Sequence, residues 1–179
     1  MKIISLIKNT MDKINLNFSI LVFALIALTA ASIAFAQDTD STDENMRILQ
    51  AKIAADKKLL VAENMNLTDG ETKNFWLIYD AYQKDLQEID NRLAKLINEY
   101  AIVYNANTVT NEKARQLLDE SIKVELAEIQ LKQSYIPKIA TALSGVKTVR
   151  YIQIENKIRA LTRYEISEMI PLMVEGKAY

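Results

Sequence analysis

Between residues 75 and 103 the apolar side chains fall at Phe75, Tyr79, Tyr82, Leu86, Ile89, Leu93, Leu96, Tyr100 and Val103, in alternating steps of four and three. This is the 3.5-residue period of a helix lying along partner helices, held for about four heptads. Lys84, Asp85, Glu88, Asp90, Arg92 and Lys95 occupy the other sides. Thr68 and Glu71 form a capping box just before the stripe, and Asp69 adds negative charge at the positive end of the helix. At 1.5 Å per residue, a helix from Asp69 to Tyr104 is roughly 50 Å long, which favours an extended bundle over a compact globule. The chain of 179 residues holds only three glycines and two prolines. Long helices are therefore permitted, and a turn-rich sandwich or barrel is disfavoured.

Three further helices are expected. Ser41 and Glu44 make a capping box that opens the first, running to about Met65 with Met46, Leu49, Ile53 and Leu60 on its apolar side. Residues 105–110 read as a loop, and Thr110 caps a third helix whose apolar positions are Ala114, Leu118, Ile122, Leu126, Ile129 and Ile136. Pro137 predicts a kink or break near Tyr135, followed by a short helical piece to Leu143. Ser144 and Gly145 start a fourth helix carrying Tyr151, Ile154, Ile158 and Leu161, and Pro171 ends it. The fold class is all-α, with a single domain over residues 44–170 and a frayed tail over 171–179.

The N-terminus reads as an export signal. Lys2, Lys8 and Lys13 precede the uncharged apolar run from Phe18 to Phe35, and Ala34-Phe35-Ala36 is the small-x-small pattern of a cleavage site. Residues 1–36 are then the signal peptide, and Gln37 is the new N-terminus. An uncleaved anchor is the alternative, since the run is nearly long enough to span a bilayer. Membrane contact is expected only through this segment, and only if it is kept. Residues 37–43 form an acidic linker; its aspartate spacing lacks the glycine and glutamate of a calcium loop. Loss of residues 1–36 removes three lysines and one aspartate, leaving 19 basic and 22 acidic side chains, a net charge of -3. A Gram-negative periplasm is the expected location.

Neither histidine nor cysteine occurs. Disulfides, thiol nucleophiles, histidine bases and zinc or copper sites built from those residues are thereby excluded. The di-iron carboxylate bundle needs Glu-x-x-His ligands, and isolated glycines make no phosphate loop. Asp80 and Glu155 fall at comparable places on their helices, but nothing makes them converge. No catalytic residue, metal site or cofactor is expected, nor is nucleic-acid binding.

A weak internal repeat links Leu67-Thr68-Asp69-Gly70-Glu71 to Leu143-Ser144-Gly145-Val146-Lys147. Each sets a leucine before a hydroxyl cap, positioned to pack back on the first turn, with Phe75/Ile78 and Tyr151/Ile154 at matching offsets. The segment from Asn66 to Leu86 resembles the Leu-Thr-x-x-Gln segment of the Spy/CpxP-like periplasmic proteins, and Leu143 to Ile158 resembles its second copy. Leu67, Thr68, Glu71, Leu143 and Ser144 carry the resemblance; Glu71 and Lys147 stand where the family has glutamine. The resemblance implies a bent, elongated antiparallel homodimer of helical hairpins whose concave face holds partly folded clients without ATP. Some members instead act on an envelope stress sensor.

Trp76 cannot share the narrow seam with Phe75 and begins a flanking row continued by Ile97 and Tyr104. This row is either packed on a neighbouring helix or a partly exposed apolar surface for clients. The leading expectation is an exported, non-enzymatic binder of non-native proteins. The rivals are a regulatory module docking on an envelope sensor protein, or a structural dimer without clients.

Overall fold

The protein is described from a computed structural model, which covers Ala51 and residues 54–173. Among the described residues there are four helices and no strand: α1 (residues 54–65), α2 (Asp69–Asn105), α3 (Asn111–Ala142) and α4 (Gly145–Met169). The long helices start where hydroxyl side chains can satisfy their free N–H groups. Thr68 Oγ1 accepts from Glu71 N at 3.4 Å, Thr110 Oγ1 from Lys113 N at 3.1 Å and Ser144 Oγ from Lys147 N at 3.4 Å. Asn66 and Asn107 take positive φ just beyond the ends of α1 and α2, a conformation asparagine tolerates better than most residues.

Pairing across the helices gives their directions. Lys58–Asp80 and Lys57–Gln83 set α1 antiparallel to α2, while Glu99–Lys113 and Arg92–Glu120 set α3 antiparallel to α2. Arg159–Glu128 and Lys132–Asn156 set α4 antiparallel to α3, so α4 runs parallel to α2. Asp90–Arg159 and the bond from Tyr100 to Pro171 join that parallel pair.

The largest apolar cluster sits where α1, the start of α2, the end of α3 and the start of α4 meet. It holds Val61, Met65, Phe75, Tyr79, Tyr82, Leu86, Tyr135, Ile139, Leu143, Tyr151 and Ile158. Its rings meet edge to face, Phe75 with Tyr151 at 5.1 Å and Tyr82 with Tyr135 at 5.3 Å, the arrangement aromatic quadrupoles favour. The α2 stripe therefore faces inward, as its period requires, but only its first part is deeply covered. Phe75, Tyr79, Tyr82, Leu86 and Ile89 are buried, whereas Leu93, Leu96, Tyr100 and Val103 are half-buried.

Two expectations are corrected. Of the kink or break expected at Pro137, the break does not occur: α3 continues across the proline, with Tyr135 and Ile139 on either side of it both in the core. The apolar positions read for α3 are also not its packed face. Leu117, Val124, Glu128, Tyr135 and Ile139 are buried, while Leu118, Ile122, Leu126, Ile129 and Ile136 face outward. In α1, Val61 and Met65 are the buried residues and Leu60 is half-buried. The signal peptide, its cleavage after Ala36, the acidic linker, the Ser41–Glu44 capping box, Met46, Leu49, Ile53 and residues 174–179 lie outside the described residues. No helix among the described residues is long and apolar enough to cross a membrane.

Candidate functional site

The two leucine-hydroxyl caps come together at one end of the molecule. Leu143 is buried in the core and Leu67 packs against it half-buried, so both leucines hold the chain at a helix entry. Glu71 closes its own capping box, its Oε2 accepting from Thr68 N at 2.8 Å. The same oxygen accepts from Lys147 Nζ, the residue at the equivalent place in the second cap. Lys147 also donates to Asn66 O at 3.0 Å, and Arg150 Nε donates to Asn64 O at 2.6 Å. These bonds satisfy carbonyls at the end of α1 that have no partner within the helix. Hydrogen bonds from Lys147 and then Thr68 lower the Glu71 carboxyl to about 2. Phe75 and Tyr151, also equivalent in the repeat, stack at this junction. The junction is a clamp whose polar groups bond one another.

Below the clamp, polar groups join α4 to the rest. Glu155 is fully buried; Gln83 Nε2 donates to its Oε1 at 3.0 Å, and Lys57 Nζ stands 2.9 Å from its Oε2. That second contact is a close charge pair without hydrogen-bond alignment, so Oε2 receives no hydrogen bond. Arg159 donates to Glu128 at 2.6 Å and to Asp90 at 2.7 Å, tying α4 to both long helices. Arg163 adds 3.0 Å to Glu128. Burial pushes the Glu128 carboxyl up, but hydrogen bonds and charge from Arg159 and Arg163 outweigh it and lower the group to about 2. Burial likewise raises the phenols of Tyr79, Tyr82 and Tyr151, which stay neutral.

Asp80 is exposed on α2 and paired with Lys58 at 2.6 Å, far in character from buried Glu155. The two acids that looked comparable along the sequence differ in burial and in partner. A cleft of about 450 Å³ opens between α2 and α3 near the 106–110 loop. Arg92–Glu120 and Lys113–Glu99 span it at 2.8 and 2.9 Å, so its charges are largely spent on one another. No group of three or more acidic residues among the described residues is placed to hold a metal ion.

The flanking row divides. Trp76 is half-buried against the core, 5.0 Å from the Phe75 ring and 5.1 Å from the Tyr79 ring, with Lys58 Nζ 5.1 Å above it. Ile97 and Tyr104, also half-buried, lie at the opposite end of α2, beyond the main core. There Tyr104 stacks on Tyr100 at 5.5 Å, and the Tyr100 hydroxyl donates to Pro171 O at 2.9 Å. That bond brings the end of α4 beside the tyrosine pair, where Met169, Leu172 and Met173 are exposed. Tyr100, Met169, Leu172 and Met173 were not singled out for this surface from sequence. The closeness of Met169 and its neighbours to α2 depends on how far α4 runs, which local pattern does not give.

No protein-family model, curated protein or solved structure matches the chain. The resemblance to the Spy/CpxP-like proteins rests on the cap segments alone.

Proposed function

We propose that the protein is an exported, periplasmic, ATP-independent binder of non-native polypeptides, with no catalytic step and no cofactor. The observation that supports this reading is the far end of α2 and α4, where the Tyr100 hydroxyl meets Pro171, with Ile97 and Tyr104 half-buried on α2 and Met169, Leu172 and Met173 exposed around the end of α4. Tyrosine presents an apolar body with a polar tip, and methionine adapts its shape to irregular partners. Such a surface binds many sequences with modest affinity. Release needs no nucleotide, since a client that buries its own apolar surface withdraws what was being held.

The chain from Gln37 onward is expected to suppress aggregation of a denatured test protein at near-stoichiometric amounts. Met169→Ser/Leu172→Ser/Met173→Ser, which touches exposed positions only, is expected to lose most of that effect while keeping its helicity. Absence of suppression, or suppression unchanged in the triple variant, overturns the proposal. A single crosslinked partner in place of many would instead identify a regulatory module docking on an envelope sensor protein.

A further inference from the structure

One enclosed contact brings together an amine, an amide and a carboxylate. Lys57 Nζ donates to Gln83 Oε1 at 2.7 Å, Gln83 Nε2 donates to Glu155 Oε1 at 3.0 Å, and Lys57 Nζ lies 2.9 Å from Glu155 Oε2. The three side chains close a ring of contacts across α1, α2 and α4. Their chemistry fixes the orientation of the amide, since an ammonium only donates and a carboxylate only accepts. The Gln83 carbonyl faces the amine, and its nitrogen faces the acid. Water is largely kept out, with the Glu155 side chain fully enclosed and that of Lys57 16% exposed. Burial first, and then the Glu155 charge, raises the phenols of Tyr79, Tyr82 and Tyr151, which places the carboxylate among three rings.

We infer that Lys57 and Gln83 condense into an isopeptide bond within the folded chain, with Glu155 as the proton carrier and ammonia as the leaving group. The Lys57 ammonium first gives a proton to Glu155 Oε2, which receives no hydrogen bond and is open to take it. The neutral amine attacks Gln83 Cδ, and the Nζ–Cδ bond forms. Glu155 passes its proton to Nε2 and takes another from Nζ; the Cδ–Nε2 bond then breaks and ammonia departs. Ammonia carries the last proton away as ammonium, so Glu155 ends as the carboxylate it was at the start. No oxidant, metal or nucleotide is consumed. Groups held in contact behave as if present at very high concentration, which takes the place of an external enzyme. Loss of ammonium to solvent makes the step one-way. Gln83 is the acceptor rather than Glu155, because a negatively charged carboxylate resists attack by an amine lone pair.

A second lysine–amide pair supplies the contrast. Lys132 donates to Asn156 at 2.8 Å, but that asparagine is exposed, and the nearby Glu128 already accepts from Arg159 and Arg163. Its carboxylate is committed to two guanidinium groups, so this pair is expected to stay unreacted. The Lys57–Gln83 bond ties α1 to α2 across the first cap, in a chain that has no cysteine for a disulfide. The step happens once per molecule, on the chain itself, and does not depend on client binding.

The test uses the chain from Gln37 onward, refolded at neutral pH, digested with trypsin and read by mass spectrometry. Peptides are read in place of whole-chain mass because an N-terminal glutamine can lose ammonia on its own. A branched peptide joining residues 53–58 to residues 74–84 is expected, lighter than its two parts by one ammonia, about 17 Da. Its yield is expected to rise as a first-order process that is independent of protein concentration. Lys57→Arg keeps a cation beside Glu155 but removes the nucleophile, and is expected to keep the helicity and lose the linkage entirely. Glu155→Gln keeps the shape of the acid without its proton transfer, and is expected to slow the linkage by about a hundredfold or more. Should Glu155→Gln not fold, the Lys132–Asn156 pair of the wild-type chain gives the same comparison. Absence of the branched peptide from the wild-type chain overturns the inference. So does equal yield from folded Glu155→Gln, from the chain held in urea, or at Lys132–Asn156. A linkage of Lys57 to residues 151–157 with loss of water in its place overturns it as well.

Discussion

The two ends of the bundle are built from the same α2 stripe but stabilised differently. Near the caps four helices meet, and the stripe disappears among Val61, Met65, Tyr135, Ile139 and Tyr151. Toward the 106–110 loop the described part of α1 is no longer alongside. α4 is held there by Arg159 on Asp90 and Glu128 and by Arg163 on Glu128. Leu93, Leu96 and Tyr100 continue the period yet remain half-buried. Periodicity alone therefore sets which way a residue points, and the number of helices present sets how much of it is covered. One end of the stripe is enclosed among the described helices, and the other is left half-buried.

Truncation at matched stripe positions is the strongest test of that difference. Phe75→Ala empties a fully enclosed site beneath Tyr79 and Tyr151 and is expected to cost about 3–5 kcal/mol. Leu93→Ala removes a half-buried side chain and is expected to cost about 1 kcal/mol, half the transfer value of a buried leucine. Urea unfolding midpoints measure both, and equal losses would show that the two ends are packed alike.

The polar attachment of α4 is the next point to break. Arg159→Ala leaves Glu128 and Asp90 facing each other across the vacated guanidinium, at an expected cost of about 3 kcal/mol. Amide exchange is expected to quicken over residues 155–169 while residues 75–86 keep their protection. Uniform quickening along α2 and α4 would mean that the helices open as one unit and would remove the distinction between the ends.

Most of the helical frame was legible because its signals are local. Thr68, Thr110 and Ser144 cap in the structure where their side chains precede apolar runs, and the α2 stripe points inward at its first five positions. The α3 face was misread for a physical reason. Leu117 and Leu118 are adjacent, and the five outward aliphatics make a cleaner pattern than an inward face containing Glu128 and Tyr135. A charged residue within a core face looks like a surface residue until its partner Arg159, 31 positions away, is known. Pro137 misled as to a break, since α3 continues across it with Tyr135 and Ile139 both in the core. For the candidate surface, Ile97 and Tyr104 could be read from the α2 row, while Met169, Leu172 and Met173 become its neighbours only through the Tyr100–Pro171 contact.

The smallest expected effect lies at the caps and sharpens the comparison from the rigid end. Glu71 is lowered from an ordinary 4.5 to about 2 by Lys147 and Thr68. A carboxyl depressed on folding contributes stability that is complete above its unfolded value and is lost as pH falls through its folded value. The contribution of Glu71 is thus present at neutral pH and disappears between pH 4.5 and about 2. Glu128 is lost over the same interval at the other attachment, so the wild-type curve alone does not separate the two ends. Glu71→Gln does separate them. Glutamine at this position can still close the capping box, but it has no charge for Lys147 and no proton to gain. Relative to wild type, the variant is expected to be slightly less stable at neutral pH and to converge with it toward pH 2, as measured by urea midpoints at each pH. A difference that stays constant with pH would mean that the Lys147 contact acts through its geometry and not its charge. The clamp would then owe its hold to the leucines and rings beneath it.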